Sequence, residues 1–161
     1  MNSDEKNHYL LPGSLFAHPE AHVITTVLGS CISVCLWDPL LRIGGINHFM
    51  LPLWNGEGLA SPKYGNIAIS KLIDKMLDFG CERRNLRAKM FGGSEMFKTT
   101  NALMNIGERN IVLAEDILRE EKIPILVSDV GGKAGRKIIY HTETGSVLMK
   151  RLSQQVDDIK I

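Results

Sequence analysis

The chain has 161 residues, of which 44% are hydrophobic and 23% charged, and its formal net charge is +1. That size and balance suit one compact domain with a substantial core, and the near-neutral charge offers no field to gather nucleic acid or anionic lipid. There is no run of about 18 apolar residues to span a membrane, and the polar start MNSDEKNHY is not a secretory signal. Three cysteines, an odd count, argue for reduced thiols in the cytoplasm.

In chain order, residues 1–8 lack apolar anchors and are expected to be a mobile end. Residues 22–28 (HVITTVL) form a β-branched, apolar strand that Gly29-Ser30 breaks. Residues 32–37 alternate Ile, Val and Leu against Ser, Cys and Trp, the period of a strand with two different faces. Asp38-Pro39 opens a turn, and residues 43–51 return as a second strand, where Gly44-Gly45 predicts a bulge or a close backbone approach. Residues 53–66 (LWNGEGLASPKYGN) are a loop placed to rim any site near that strand.

Residues 64–79 carry Ile69, Leu72, Ile73 and Met76 at helical spacing, and Gly80 follows as a left-handed cap. LRAKMFGG reads as a short strand ending in a glycine turn. A second amphipathic helix covers residues 107–121, and Pro124 prevents its continuation. Strands at 125–130, 136–142 and 146–152 complete the chain, with DVGGKAGRK between the first two and a tight ETG hairpin between the last two. Seven strands and two helices without repeats or linkers predict a single domain over 1–161, with residues 153–161 as a second mobile end. The segregation of strands and helices favours an α/β sandwich with mixed, largely antiparallel sheets over a doubly wound fold.

Cys31 is the first candidate for chemistry. A thiol nucleophile needs exposure and a group to take its proton, and the Gly29-Ser30 turn before it would expose the sulfur and aim backbone N–H groups at a developing oxyanion. The bland alternative is a small buried hydrophobe, the reading that suits Cys35 and Cys81. His48 changes the balance. A tight turn at Leu40-Leu41 would set His48 opposite Ser33, on the same face as Cys31 and diagonal to it, a separation of about 7–8 Å at the backbone. A shift of one residue would send the two to opposite faces. Thr25, on the strand before the turn, is the natural third member to orient the imidazole, although its local setting alone favours a β-branched residue filling a strand; Thr26 points to the other face.

Other motifs carry less. GGSEMFKTT imitates a phosphate-binding loop but places Phe97 where glycine is needed before the lysine. GGKAGRK fits a tight loop with a solvated basic end and a contact surface for an acidic partner. Cys31, Cys35 and His48 would need His22, His141 or Cys81 to complete a zinc site, and their spacing does not close a tetrahedron. His8, His18 and His22 read as surface residues without partners.

Taken together, TTVLGSCISVCLWDP followed by GGINHFMLP resembles the signature of the bacterial chemoreceptor glutamine deamidases, the CheD family. YGNIAISKLIDKML, RAKMFGGSEMF, NIGERNI and DVGGKAGRKIIYHTETGSVLMKRL resemble it too, so the likeness runs in order over residues 9–152. The resemblance implies a fold similar to the catalytic domain of cysteine-dependent deamidating toxins. It implies hydrolysis of receptor glutamines to glutamates with Cys31 as nucleophile, His48 as base and Thr25 as orienting residue, and with no metal or organic cofactor. It further implies a cytoplasmic enzyme that reaches the membrane only through its receptor, and in many members a CheC-type chemotaxis phosphatase as partner. A binding module that regulates such a phosphatase, without catalysis, is the alternative.

Overall fold

A computed structural model describes residues 6–95 and 105–152. Among them nine strands and two α-helices follow the order β1 (Lys6–Tyr9), β2 (Leu15–His18), β3 (His22–Leu28), β4 (Ile32–Asp38), β5 (Ile43–Asn47), α1 (Gly65–Asp78), β6 (Arg87–Gly92), α2 (Ile106–Glu120), β7 (Ile125–Val130), β8 (Arg136–His141) and β9 (Val147–Arg151). A four-stranded sheet runs β1-β3-β8-β9 and a five-stranded sheet β2-β5-β4-β6-β7. The β1/β3 and β6/β7 pairs are parallel and the others antiparallel. The chain is thus an α/β sandwich with mixed, largely antiparallel sheets, as the pattern of elements predicts.

Three layers follow from the alternation of side chains. On β4, Ile32, Val34 and Leu36 pack with Phe49, Ile69, Leu72, Met76, Ala114 and Leu118 in a core between the five-stranded sheet and the helices. A second core lies between the sheets, where Ile24, Leu28, Ile138 and Tyr140 meet Cys35, Ile46 and Phe91. Strands β4 and β5 are therefore covered on both sides, which explains why they are buried along nearly their whole length.

Helix α1 ends as expected. Gly80 takes φ +98°, and the Gly80 and Cys81 N–H groups donate to Leu77 and Met76 O at 2.9 and 3.1 Å, a Schellman closure. Gly44-Gly45 is a close approach rather than a bulge: β4 and β5 pair across it without a slip, and a Cβ on Gly44 would lie 2.5 Å from the Tyr140 hydroxyl.

Two strands were not foreseen. Residues 6–8, expected in a mobile end, begin β1, which pairs with β3 from Lys6 opposite His22 to Tyr9 opposite Thr25. Its side chains are exposed, so its anchors are backbone hydrogen bonds to the edge of β3, which leave no hydropathy signal. The short β2 likewise joins the edge of β5. Residues 153–161 and the Phe97-Lys98 part of GGSEMFKTT lie outside the described residues.

Candidate active site

The register of the β4/β5 hairpin decides whether Cys31 and His48 can meet. Cys35 lies opposite Ile46, and farther along Ile32 bridges Phe49. Both N–H groups of that last rung are donated, Ile32 to Phe49 O at 3.1 Å and Phe49 to Ile32 O at 3.0 Å. Ser33 is therefore opposite His48, as the turn at Leu40-Leu41 predicts, and Cys31 is diagonal to it on the same face. That face looks toward the four-stranded sheet: Cys31 packs, half-buried, against the core between the sheets.

His48 is 2% exposed and is fixed at three places. Its backbone N–H donates to Ser14 O at 3.0 Å, and its carbonyl accepts from Gly13 at 2.8 Å. The neighbouring Asn47 inserts its side chain into the hairpin, where Oδ1 accepts the Val34 N–H at 2.8 Å. The ring is held by a threonine across the sheets, with Thr26 Oγ1 2.7 Å from His48 Nδ1.

The threonine against the imidazole is thus Thr26, where the sequence reading looked to Thr25. Thr25 points away from the space between the sheets, in a cross-strand row with Tyr9 and Ile139; Thr26, with Ile24 and Leu28, points inward and is fully buried. Both faces of HVITTVL carry apolar and β-branched residues, so alternation along the strand does not reveal which one the second sheet will cover. The structure brings Cys31, His48 and Thr26 to the same interior and leaves Thr25 outside it.

The Thr26 hydroxyl also fixes the tautomer. Its single proton goes to Leu10 O at 2.8 Å, because a carbonyl can only accept. The same oxygen must then accept from His48, which places the imidazole proton on Nδ1 and leaves the Nε2 lone pair free. Burial pushes the His48 pKa down to about 4, and pushes the Cys31 thiol up while its own backbone N–H, directed at the sulfur, partly offsets that rise. At neutral pH Cys31 is a thiol and the His48 imidazole is neutral, with its open lone pair on Nε2.

The turn that presents Cys31 is tied down through its carbonyls. Gly29 O accepts from the Ser94 N–H at 2.9 Å, and Cys31 O from the Gly93 N–H at 2.8 Å. Ser30 O accepts from Asn110 Nδ2 at 3.0 Å, and the same amide group donates to Met50 O at 3.1 Å. Gly92 is required behind this turn: it sits at φ +110° and a Cβ there would lie 2.1 Å from Cys31 O. The glycines of GGSEMF thus support the cysteine turn.

In GGKAGRK, Lys133 and Lys137 are exposed as expected, and Arg136 departs from the expectation. Arg136 is buried, not solvated: Nε donates to Asp129 Oδ1 at 2.9 Å, and the remaining nitrogens donate to the carbonyls of Gly92, Gly131 and Ala134. It braces the Gly92 end of β6 from the side opposite Cys31. Asn110 and Arg136 were missed as individual residues, although NIGERNI and GGKAGRK both belong to the segments that carry the resemblance.

Cys35 and Cys81 are buried as expected. Burial and the nearby Asp38 carboxylate hold the Cys81 thiol up at about 12. The N-terminal histidines are not isolated: His8 stacks on Phe16 with ring centroids 4.5 Å apart, and the His18 and His22 rings lie 4.8 Å apart. Among the described residues no group of three or more His, Cys, Asp and Glu side chains is placed to hold a metal ion. No helix among them is long and apolar enough to cross a membrane.

Comparison with known proteins shows the family to which the chain belongs. A family model described as CheD chemotactic sensory transduction matches residues 50–151. A protein of Trichlorobacter lovleyi named "Probable chemoreceptor glutamine deamidase CheD" is 51% identical over 150 residues, covering 93% of each chain. A protein of the same name from Sulfurimonas denitrificans is 51% identical over 144 residues, 88% of this chain and 92% of its own. A relative in Anaeromyxobacter dehalogenans is 41% identical over 144 residues, 89% of this chain and 84% of its own. The relatives' alignments span nearly the whole chain, whereas the family-model match starts just after His48, and together they show that the chain belongs to the CheD family.

Proposed function

We propose that this protein hydrolyses glutamine side chains of bacterial chemoreceptors to glutamates, releasing ammonia, with Cys31 as nucleophile, His48 as general base and acid, and Thr26 in the orienting role first sought at Thr25. The observation that carries the reading is the Leu10–Thr26–His48 hydrogen-bond chain, which leaves the imidazole lone pair free on the face that Cys31 shares. The relatives' names supply the substrate class.

In this mechanism His48 Nε2 takes the Cys31 Sγ proton as sulfur bonds to the carboxamide carbon. The oxyanion forms beside the backbone N–H groups at Gly29, Ser30 and Cys31. Collapse of the tetrahedral centre breaks the C–N bond, and the nitrogen leaves as ammonia with the proton from His48. Water, deprotonated by the same imidazole, then attacks the glutamyl thioester; the C–S bond breaks and the thiolate recovers its proton. The side chains present suffice for this hydrolysis. The same reading places the protein in the cytoplasm, next to the receptors' helical regions, with a CheC-type phosphatase as a further partner to be sought by co-purification.

The test is mass spectrometry of a receptor fragment incubated with the protein. The expected result is a gain of about 1 Da at particular glutamines, lost in Cys31→Ala. Full activity in Cys31→Ala would refute the nucleophile. A Cys31→Ala protein that still binds and stimulates a CheC-type phosphatase would show that binding and catalysis are separable.

A further inference from the structure

The nucleophile turn is restrained in an unusual way. Three successive carbonyls, on Gly29, Ser30 and Cys31, point into the protein and are each met by a donor. Two of those donors are backbone N–H groups at the end of β6. The third is a side chain from a different element, Asn110 on α2, which is itself fully buried. The same amide donates to Met50 O, two residues beyond His48. Both partners are carbonyl oxygens, so the NH₂ end of the amide must face them.

Peptide planarity gives this clamp a chemical consequence. In a trans peptide the C=O of one residue and the N–H of the next point in opposite directions. A Ser30 carbonyl drawn inward to Asn110 therefore turns the Cys31 N–H away from the protein, toward the side where the sulfur lies. The Gly29 carbonyl, held by Ser94, sets the Ser30 N–H in the same manner.

We infer that Asn110 is a positioning residue for deamidation: by holding the Ser30 and Met50 carbonyls it orients the Cys31 N–H as an oxyanion donor and keeps the strand ends carrying Cys31 and His48 in register. The inference rests on the proposed reading of Cys31 as nucleophile. Asn110 touches neither substrate nor sulfur. Its effect is on the peptide that would receive the negative charge, so its loss should weaken the transition state while substrate binding and thiol access stay intact.

The test compares wild type, Asn110→Leu and Asn110→Ser by steady-state deamidation of a receptor fragment, the rate of Cys31 alkylation by iodoacetamide, and thermal melting. Leucine keeps the volume and removes the donor. In folded Asn110→Leu, kcat is expected to fall about 10- to 100-fold, less than or comparable to removal of a direct oxyanion donor, with KM and alkylation rate within about threefold of wild type. Asn110→Ser keeps a donor, shorter in reach, and should retain more kcat than the leucine variant; if leucine does not fold, the same split between kcat and alkylation is read from serine. A kcat within about twofold of wild type in a folded variant would overturn the inference, as would a proportional fall in kcat and alkylation, which marks a collapsed site. Failure of the underlying reading looks different: wild type would then convert no glutamine, or Cys31→Ala would convert it equally well.

Discussion

The two faces of the β4/β5 hairpin belong to the same strands and are built on different terms. Toward the helices the face is mostly apolar, with Ile32, Val34, Leu36 and Phe49 each fully buried, and its polar members, Asp38 and Asn47, are buried with them. Toward the four-stranded sheet, Cys31, Ser33 and His48 interrupt the hydrocarbon, and Thr26 meets them from the opposite layer. The Ser33 hydroxyl there is buried without a hydrogen-bond partner, a cost that well-packed interiors seldom carry. Among the described residues Asp38 Oδ2 and Asn47 Nδ2 share that condition on the helix side, so what sets the inter-sheet face apart is the kind of group it gathers: a thiol, two hydroxyls and an imidazole.

Substitutions can separate the two faces. The largest effect on chemistry is expected from His48→Gln, which removes the base: deamidation should fall by about 10²- to 10⁴-fold, read by mass spectrometry, with the protein still folded. The same variant tests the direction of the proton linkage. The folded His48 pKa lies near 4, below its ordinary 6.5, so between those values the unfolded chain binds the proton and the native state does not. Wild-type stability should therefore rise with pH across that window and be lost as pH falls through it; urea titrations at pH 4 and 7 should show a smaller difference in His48→Gln. Equal pH dependence in the two proteins would show that burial of this ring does not matter to folding.

On the helix side, Leu72→Ala empties part of the apolar core and should cost about 2–5 kcal/mol in urea unfolding. Activity per folded molecule should remain unchanged, and a loss of kcat at temperatures where the variant stays folded would blur the distinction between the faces. A smaller effect is expected across the space between the sheets. Thr26→Val removes the acceptor for the Nδ1 proton and should lower kcat about tenfold, whereas Thr25→Val, outside that space, should change it less than about twofold. The reverse order would restore Thr25 as the orienting residue.

Much of this arrangement was legible in the residues. Apolar spacing located both helices, and apolar runs bounded by turn residues located seven of the nine strands, most plainly β4, where burial imposes a period on the sequence. The hairpin register followed from the turn after Asp38 and the alternation of β4, and that register carries Cys31 and His48 to a common face. Strands β1 and β2 escaped because short edge strands are held by backbone hydrogen bonds that any side chain permits. The glycines of GGSEMF were visible, but their purpose was not, because the Cys31 carbonyl that needs Gly92 lies far away in sequence.

The sequence by itself determined the family signature, both helices, seven of the nine strands among the described residues and the hairpin that sets thiol and imidazole on one face. Only the tertiary structure showed which of Thr25 and Thr26 meets the imidazole, since a strand apolar on both faces carries no mark of the face a second sheet will cover. It also decided the parts of Asn110 and Arg136, whose partners are main-chain carbonyls. Every residue has such a carbonyl, so no residue type advertises the contact; folding alone selects which of them a buried donor will meet.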